Sequence, residues 1–367
     1  MKKTLVLAAS AIAAAGFGAA DASAVDVELY GQVDKSVMSY DDGRNTETNF
    51  VDNDFGGTRF GFKGSQSLDN GLTASVLFEV EMQSNASNGI TQATVAGNSS
   101  TAVSTANTFA ERHARVGLGG DWGAVFMGHA SSAADSSAEQ DLAGVSDVTG
   151  SAAFKIGGGI FFRDNTGALT TNSIGNTVDN MDGLGRSDAI RYDSPVFNGF
   201  QVRVSTIQGG DVDGAVYYHG KVDEFNVKGA IGYASYNSAA TAAADILESQ
   251  MSGSLSVGHD SGLAATVAYG QKSLDRKTAG NDDPSYWYLK AGYAWDQFEV
   301  AAEYGKYEDM ITTTTTDHET QYLGAAAQYN MGHGTSLAAY YKQFDLDFTG
   351  TNTDAINLYG VNLRVKF

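Results

Sequence analysis

From about residue 25 onward the chain alternates apolar and polar positions, segment after segment. Between Leu72 and Glu81, Leu72, Ala74, Val76, Phe78 and Val80 fall on one face. Thr73, Ser75, Glu79 and Glu81 fall on the other, and Leu77 alone is out of type. The last residues repeat the pattern: Tyr359, Val361, Leu363, Val365 and Phe367 share one face, Asn362, Arg364 and Lys366 the other. A period of two is the signature of a strand with one dry and one wet face. Sixteen such segments are expected, starting near Val25, Gly57, Gly71, Thr108, Trp122, Ser187, Phe200 and Gly214, then near Phe225, Leu247, Gly262, Ser285, Gln297, Glu319, Gly334 and Asp354.

The connections alternate in length. Short ones such as Leu68–Gly71, Gly119–Trp122, His259–Gly262 and Trp295–Gln297 carry the Asn-Gly, Ser-Gly and Asp chemistry of tight turns. Long ones, among them Asn85 to Asn107 and Glu308 to His318, are rich in Ser, Thr, Asn, Gly and Asp. Pro195 and Pro284 fall at strand boundaries, where no ladder donor is lost. Tyr30, Tyr192, Phe197, Phe200, Trp287, Tyr293, Trp295, Phe298, Tyr329 and Phe367 gather toward strand ends, as rings at a membrane–water interface do.

Alternation alone fits a soluble sandwich as well as a barrel, and the N-terminus separates the two. Lys2-Lys3, the apolar run Leu5 to Gly18 and the small-x-small Ala22-Ser23-Ala24 form an export signal, so residues 1–24 are expected to be cleaved and 25–367 to form one domain. No later stretch offers the ~18 apolar residues of a membrane helix. An exported membrane protein built from strands must close into a barrel, because lipid leaves an open edge unsatisfied. The expectation is therefore an all-β, 16-stranded antiparallel transmembrane barrel in the outer membrane, with lipid outside and water within.

Net charge is −20, with +1 in the first 24 residues and −21 in the rest. Phosphate backbones need Lys and Arg, so nucleic acid is not an expected partner. There is no Cys, which excludes disulfides and thiolate metal sites. No catalytic residues and no metal ligands are assigned. Asp41-Asp42 and Asn281-Asp282-Asp283 could attract Ca²⁺ but match no dedicated loop, and solvated turn acids explain them as well. A barrel hydrolase would need a nucleophile and base; His129 near Ser131, and His259 beside Asp260 and Ser261, form no such motif. The chain is not expected to be an enzyme.

The longest connection, residues 131–185, holds Asp135, Glu139, Asp141, Asp147, Asp164, Asp179 and Asp182 against Lys155 and Arg163. It also carries the apolar run Ile156-Gly-Gly-Gly-Ile160-Phe161-Phe162. A loop this long with its own apolar residues either folds into the lumen and narrows it or forms a lid over the mouth.

Several stretches resemble the Gram-negative trimeric general-diffusion porins. Thr58-Arg59-Phe60-Gly61-Phe62-Lys63-Gly64 with Leu68-Asp69-Asn70-Gly71-Leu72 is similar to that family's second strand and first turn. Arg115-Val116-Gly117-Leu118 with Gly120-Asp121-Trp122-Gly123 is similar to its fourth strand, turn and fifth strand. Arg186 to Pro195, followed by Phe197 and Gly199-Phe200, resembles the segment after its constriction loop, and Phe367 its C-terminal assembly signal. The resemblance implies a third loop folded inward at mid-barrel, loop acids facing a wall of arginines, and a homotrimer. Strand parity then selects the basic groups. Phe60 and Phe62 face lipid, so Arg59 and Lys63 line the pore; Ala114, Val116 and Leu118 face lipid, which favours His113 and Arg115 over Arg112. Arg191 and Arg203 face inward by the same rule, and Arg186 reaches in from the loop junction. The loop lacks the Pro-Glu-Phe-Gly-Gly turn of better-known members. Asp135, Glu139, Asp141 and Asp147 are the candidate acids by position. The implied function is a passive, water-filled channel for small hydrophilic solutes and ions. A channel selective for sugars, phosphate or carboxylates on the same fold is the alternative.

Overall fold

The computed structural model describes residues 26–92, 109–237, 246–275, 282–312 and 317–367. The expected leader and its cleavage site, most of the 85–107 connection and Asn281 lie outside the described residues.

Sixteen antiparallel strands form the wall: β1 Asp26–Asp41, β2 Arg59–Ser67, β3 Thr73–Met82, β4 Phe109–Gly120, β5 Gly123–Ser131, β6 Arg186–Asp193, β7 Phe200–Ile207 and β8 Val212–Val222, then β9 Phe225–Ser235, β10 Ile246–His259, β11 Leu263–Asp275, β12 Ser285–Trp295, β13 Phe298–Glu308, β14 His318–Gly332, β15 Thr335–Phe348 and β16 Ile356–Lys366. Each begins within two residues of its expected start. β1 pairs with β2 through Asp26↔Ser65 to Gln32↔Arg59, and with β16 through Gln32↔Lys366 to Asp41↔Asn357. The sheet thereby closes on itself, and no wall edge is left for lipid to desolvate.

Parity along the strands makes the molecule apolar on the outside. On β12, Trp287, Leu289, Tyr293 and Trp295 are exposed, while Tyr286, Tyr288 and Lys290 between them are buried. The outward rings stack at the rim of the short turns, Tyr293 on Trp295 at 5.5 Å, Trp295 on Phe298 at 5.7 Å and Phe298 on Tyr329 at 5.0 Å. Tyr30 is a correction to the expected girdle. It sits on an inward position opposite Gly61, and its hydroxyl donates to Glu79 at 2.9 Å.

Short turns mark one end of the barrel and long connections the other. The two-residue turns at 223–224 and 296–297 place Asp223 and Asp296 at positive φ, a conformation that Asp tolerates better than most residues. At the other end, Thr46–Asp52 folds back along the upper half of β1, and Phe161–Asp164 pairs with Leu169–Ser173 and with Thr351–Asp354.

The hydrophobic core lies inside the barrel. Tyr286, Tyr288, Tyr307, Tyr322, Tyr340 and Phe344 of the wall meet Val145, Val148, Ile156, Ile160, Phe162 and Ile174 of the long connection. At about 1.5–3 kcal/mol per fully buried large side chain, this packing offsets much of the entropy lost in ordering the connection. Ile156, Ile160 and Phe162 of the apolar run thus pack inward, while the run's end joins the small sheet with Thr351–Asp354.

Candidate functional site

After Ser131 the chain turns into the lumen and is stitched to one wall strand after another. Ala133 N–H donates to Ser205 Oγ (2.9 Å) and Asp213 (3.1 Å), and Ala134 N–H to Asp213 (3.0 Å). Gln140 and Leu142 N–H donate to Ser254 and Ser256 hydroxyls at 2.8 and 2.9 Å. Val145 N–H reaches Glu299 at 2.5 Å and Gly150 N–H reaches Glu303 at 2.7 Å. The loop therefore follows β7, β8, β10 and β13, giving its backbone donors partners far from water. What remains open is the space between the loop and the opposite wall, β2 to β6.

That space is a cavity of about 460 Å³ bordered by Arg59, Arg112 and Arg186 on the wall and by Asp135, Glu139, Lys155 and Asp182 on the loop, with Asp54 and Glu81 beside them. Arg112 Nε donates to Glu79 at 2.6 Å and its Nη1 pairs with Glu81. Arg59 faces Glu79 at 3.5 Å and donates to the Gly56 carbonyl. Lys155 pairs with Glu139 at 3.1 Å and stands over the Phe55 ring. The arginines are thus held on one side, and Asp135 and the Lys155-paired Glu139 on the other.

Arg112 is the residue that strand parity misjudged. The β3–β4 register slips between Glu79 and Val80: Glu79 faces His113 and Val80 faces Glu111, so Arg112 is the extra residue of a bulge. A bulge re-aims the side chain it carries, and here Arg112 joins its neighbour His113 on the lumen side. No short-range sequence signal marks the slip.

The remaining basic candidates line the lumen nearer the short turns. Lys63 pairs with Glu28 at 3.1 Å and stands over Tyr30. Arg191 pairs with Asp193 at 2.9 Å, and Arg203 lies 3.6 Å from the same carboxylate. Arg115 and Arg191 both stack on Phe126, at 4.0 and 5.2 Å from its centroid.

Two of the four acid candidates border the aperture, Asp135 and Glu139. The other two are corrections. Asp141 is tied to the far wall, accepting from Thr266 and Lys290 at 2.5 Å each. Asp147 is fully buried against Arg364 and Ser336. Both anchor the loop instead of facing the arginines. Asp182 takes a place beside Asp135 and Glu139, accepting from the N–H groups of Ser136 (2.6 Å) and Ala138 (2.8 Å). Burial, and then the charges of Glu139 and Asp135, hold its carboxyl well above the usual range. Burial also raises Asp54 to about 6, against hydrogen bonds from Asn88 and Gln83 that favour its charged form.

Among the described residues no group of three or more His, Asp or Glu side chains converges to hold a metal. His259 lies 2.8 Å from Ser261 and 3.1 Å from Glu224, contacts that are exposed at the short-turn end. No helix of the described residues is long and apolar enough to cross a membrane, which bears only on helices.

Comparison with known proteins agrees with the geometry. A family model described as Gram-negative porin matches residues 6–349. No curated protein sequence matches. Among solved structures, an anion-selective porin from Comamonas acidovorans aligns at a TM-score of 0.65 and 18% identity, over 94% of this chain and 100% of its own. The outer-membrane-expressed OmpT of Vibrio cholerae aligns at 0.59 and 13% identity, over 95% and 99%. Salmonella typhi OmpF, in complex with daunomycin, aligns at 0.55 and 14% identity, over 93% and 97%. At these identities the likeness is one of fold.

Proposed function

The chain belongs to the Gram-negative porin family and is an outer-membrane channel protein; from that premise we propose that it is a general-diffusion pore whose aperture is the gap between the inward loop and β2–β6. The observation that carries this reading is the cavity between Arg59, Arg112 and Arg186, with Glu81 and Asp54 beside them, on one side and Asp135 and Glu139, with Lys155 beside them, on the other. Opposite charges fixed across a narrow gap set up a field transverse to the pore, strengthened by the low-dielectric walls. Water ordered in that field resists apolar solutes, while small hydrophilic solutes exchange hydration for the lining groups and pass.

The charge of −21 on residues 25–367 favours cations at the mouth. Reversal potentials across a salt gradient test this: a cation preference is expected, and an anion preference would show that the local arginines outweigh the global field. Flux that rises linearly with solute concentration separates a general pore from a substrate-selective one, which saturates.

A homotrimer is the proposed assembly. The wall strands from Arg59 to Ile207 are 8–12 residues long, against 11–15 from Ile246 to Phe348, so one side of the barrel is low. On that side Lys35 alternates with the outward Val33 and Val37 and pairs with Asp52 at 2.5 Å. An exposed ammonium on a lipid face is costly, and a neighbouring barrel would cover Lys35, whose partner Asp52 is already buried. The in-vitro folded OmpT of Vibrio cholerae, similar in fold at 12% identity, is described in a trimer form. Heated and unheated gel mobility tests the assembly: one heat-labile species at three times the monomer mass is expected, and a monomer in both lanes would rule it out.

A further inference from the structure

Three consecutive residues, Asp52, Asn53 and Asp54, join the outer face of the barrel to its lumen. Lys35 projects outward from β1 between Val33 and Val37, and its half-exposed ammonium pairs with Asp52 at 2.5 Å. Asp52 itself is fully buried. Its second oxygen accepts from the Ser84 N–H (2.9 Å), the Ser84 hydroxyl (3.1 Å) and the Asn85 N–H (3.2 Å), and Thr58 donates to the first at 2.8 Å. Among the described residues, Lys35 is the one cation within ion-pair reach of this carboxylate. Asn53, also buried, donates from Nδ2 to the Asp147 carbonyl of the inward loop at 2.7 Å. Asp54 borders the aperture and accepts from Gln83 (2.6 Å) and the Asn88 N–H (2.8 Å). The Asp54 N–H donates to Ser87 Oγ at 3.1 Å, and that hydroxyl donates at 2.7 Å to the carbonyl of Lys155, which lines the aperture.

We propose that Lys35, although it stands on the outer face, is a positioning residue for the aperture, acting through Asp52 on Asn53, Asp54 and the inward loop. This rests on the channel reading and names a residue that controls the aperture from outside it. With the ammonium in place, the Asp52 carboxylate is anchored at the outer face, and Thr58, Ser84 and Asn85 converge on it. Without the ammonium, a buried charge is left with neutral donors alone, the costly half of a broken ion pair. Movement of that carboxylate toward water relieves the cost. The peptide units between Asp52 and Asp54 are rigid, with Cα atoms about 3.8 Å apart, so a shift at Asp52 reaches the aperture lining within two residues. Ser84 and Asn85 carry the same shift to Ser87, and Ser87 carries it to Lys155. The coupling runs through bonded neighbours at every step, which is a physical link and not mere proximity.

Single-channel recording of the detergent-purified protein in KCl, with heated and unheated gels of the same preparations, tests this. Lys35→Met should raise open-channel noise severalfold and change the cation-to-anion permeability ratio read from reversal potentials, in protein that still runs as a folded barrel. Lys35→Met/Asp52→Asn removes the stranded carboxylate and should return both readouts toward wild type. Lys35→Arg keeps the pair and should leave both unchanged. Val37→Ala, two residues away on the same outer face, should also leave both unchanged, which separates positioning from a general loss of packing. Ser84→Ala weakens the hold on Asp52 without touching the outer charge. It should raise the noise in the same sense, and it keeps the test open if Lys35→Met does not fold. Wild-type noise and permeability ratio in Lys35→Met channels, including channels that have lost their oligomeric form, overturn the proposal. So does a change that Asp52→Asn fails to reverse, or a quiet Ser84→Ala channel. Absence of any current from the wild-type protein would overturn the pore reading instead.

Discussion

Replacing Glu303 by Gln should loosen the loop and destabilise the barrel together. Glu303 is buried on β13 and is the hub beneath the loop. It accepts from Gly150 N–H at 2.7 Å, from the Tyr288 and Tyr322 hydroxyls at 2.5 Å each, and from Lys342 at 3.4 Å. Lys342 is itself fully buried, with Tyr322 at 2.7 Å and the Phe55 ring beneath it. Removing the carboxylate strands that ammonium away from water, which costs about 3–5 kcal/mol. With an unfolding entropy near 0.7 kcal/mol/K for a chain of this size, the transition falls by about 4–7 °C. Because Gly150 is one of the loop's tethers, the same change should raise open-channel noise and mean conductance. The assay is gel-shift unfolding in detergent alongside single-channel recording. Lys342→Met placed on the Glu303→Gln background removes the stranded charge and should recover more than half of the lost stability, a coupling that the double-mutant cycle measures directly. A Glu303→Gln protein with wild-type melting and wild-type noise would refute the idea that this pair holds the loop.

Other consequences follow from the same geometry. Asp54 has a carboxyl raised to about 6 by burial, so the folded state binds its proton more tightly than the unfolded chain; this group opposes folding at neutral pH, and the penalty is relieved as pH falls through 6 toward the ordinary value. Its charge at the aperture is lost in the same window, so cation preference should drop between pH 7 and 5, and Asp54→Asn should abolish that step in reversal-potential measurements. Arg112→Gln leaves Glu79 and Glu81 with one partner fewer and should both strengthen cation preference and lower the melting transition by several degrees; unchanged selectivity would place Arg112 outside the aperture. Leu289→Arg puts a charge on the lipid face and should cost about 2–4 kcal/mol if it sits near the bilayer midplane, read as reduced folding yield into vesicles.

Most of the wall was legible in the sequence because a period-two pattern is local and repeated. Every strand starts close to where the pattern put it, and parity placed Arg59, Lys63, Arg115, Arg191 and Arg203 on the lumen side. Parity fails where the ladder slips: the bulge at Arg112 depends on how β3 and β4 register against each other, which no single segment encodes. Tyr30 was misplaced for a different reason, since position near a strand end does not say which face a ring takes. In the loop, all seven acids look alike in sequence. Whether one anchors, as Asp141 and Asp147 do, or borders the aperture, as Asp135, Glu139 and Asp182 do, is decided by partners more than a hundred residues away on the wall or by the loop's own fold.

The most direct test of the account is whether the detergent-extracted protein, added to a planar bilayer, opens a continuous aqueous path. Stepwise current increments that scale linearly with bulk salt are predicted, because water and ions would fill the gap between the inward loop and the arginine wall. A protein that stays dissolved without detergent, or that inserts and passes no current, would contradict it.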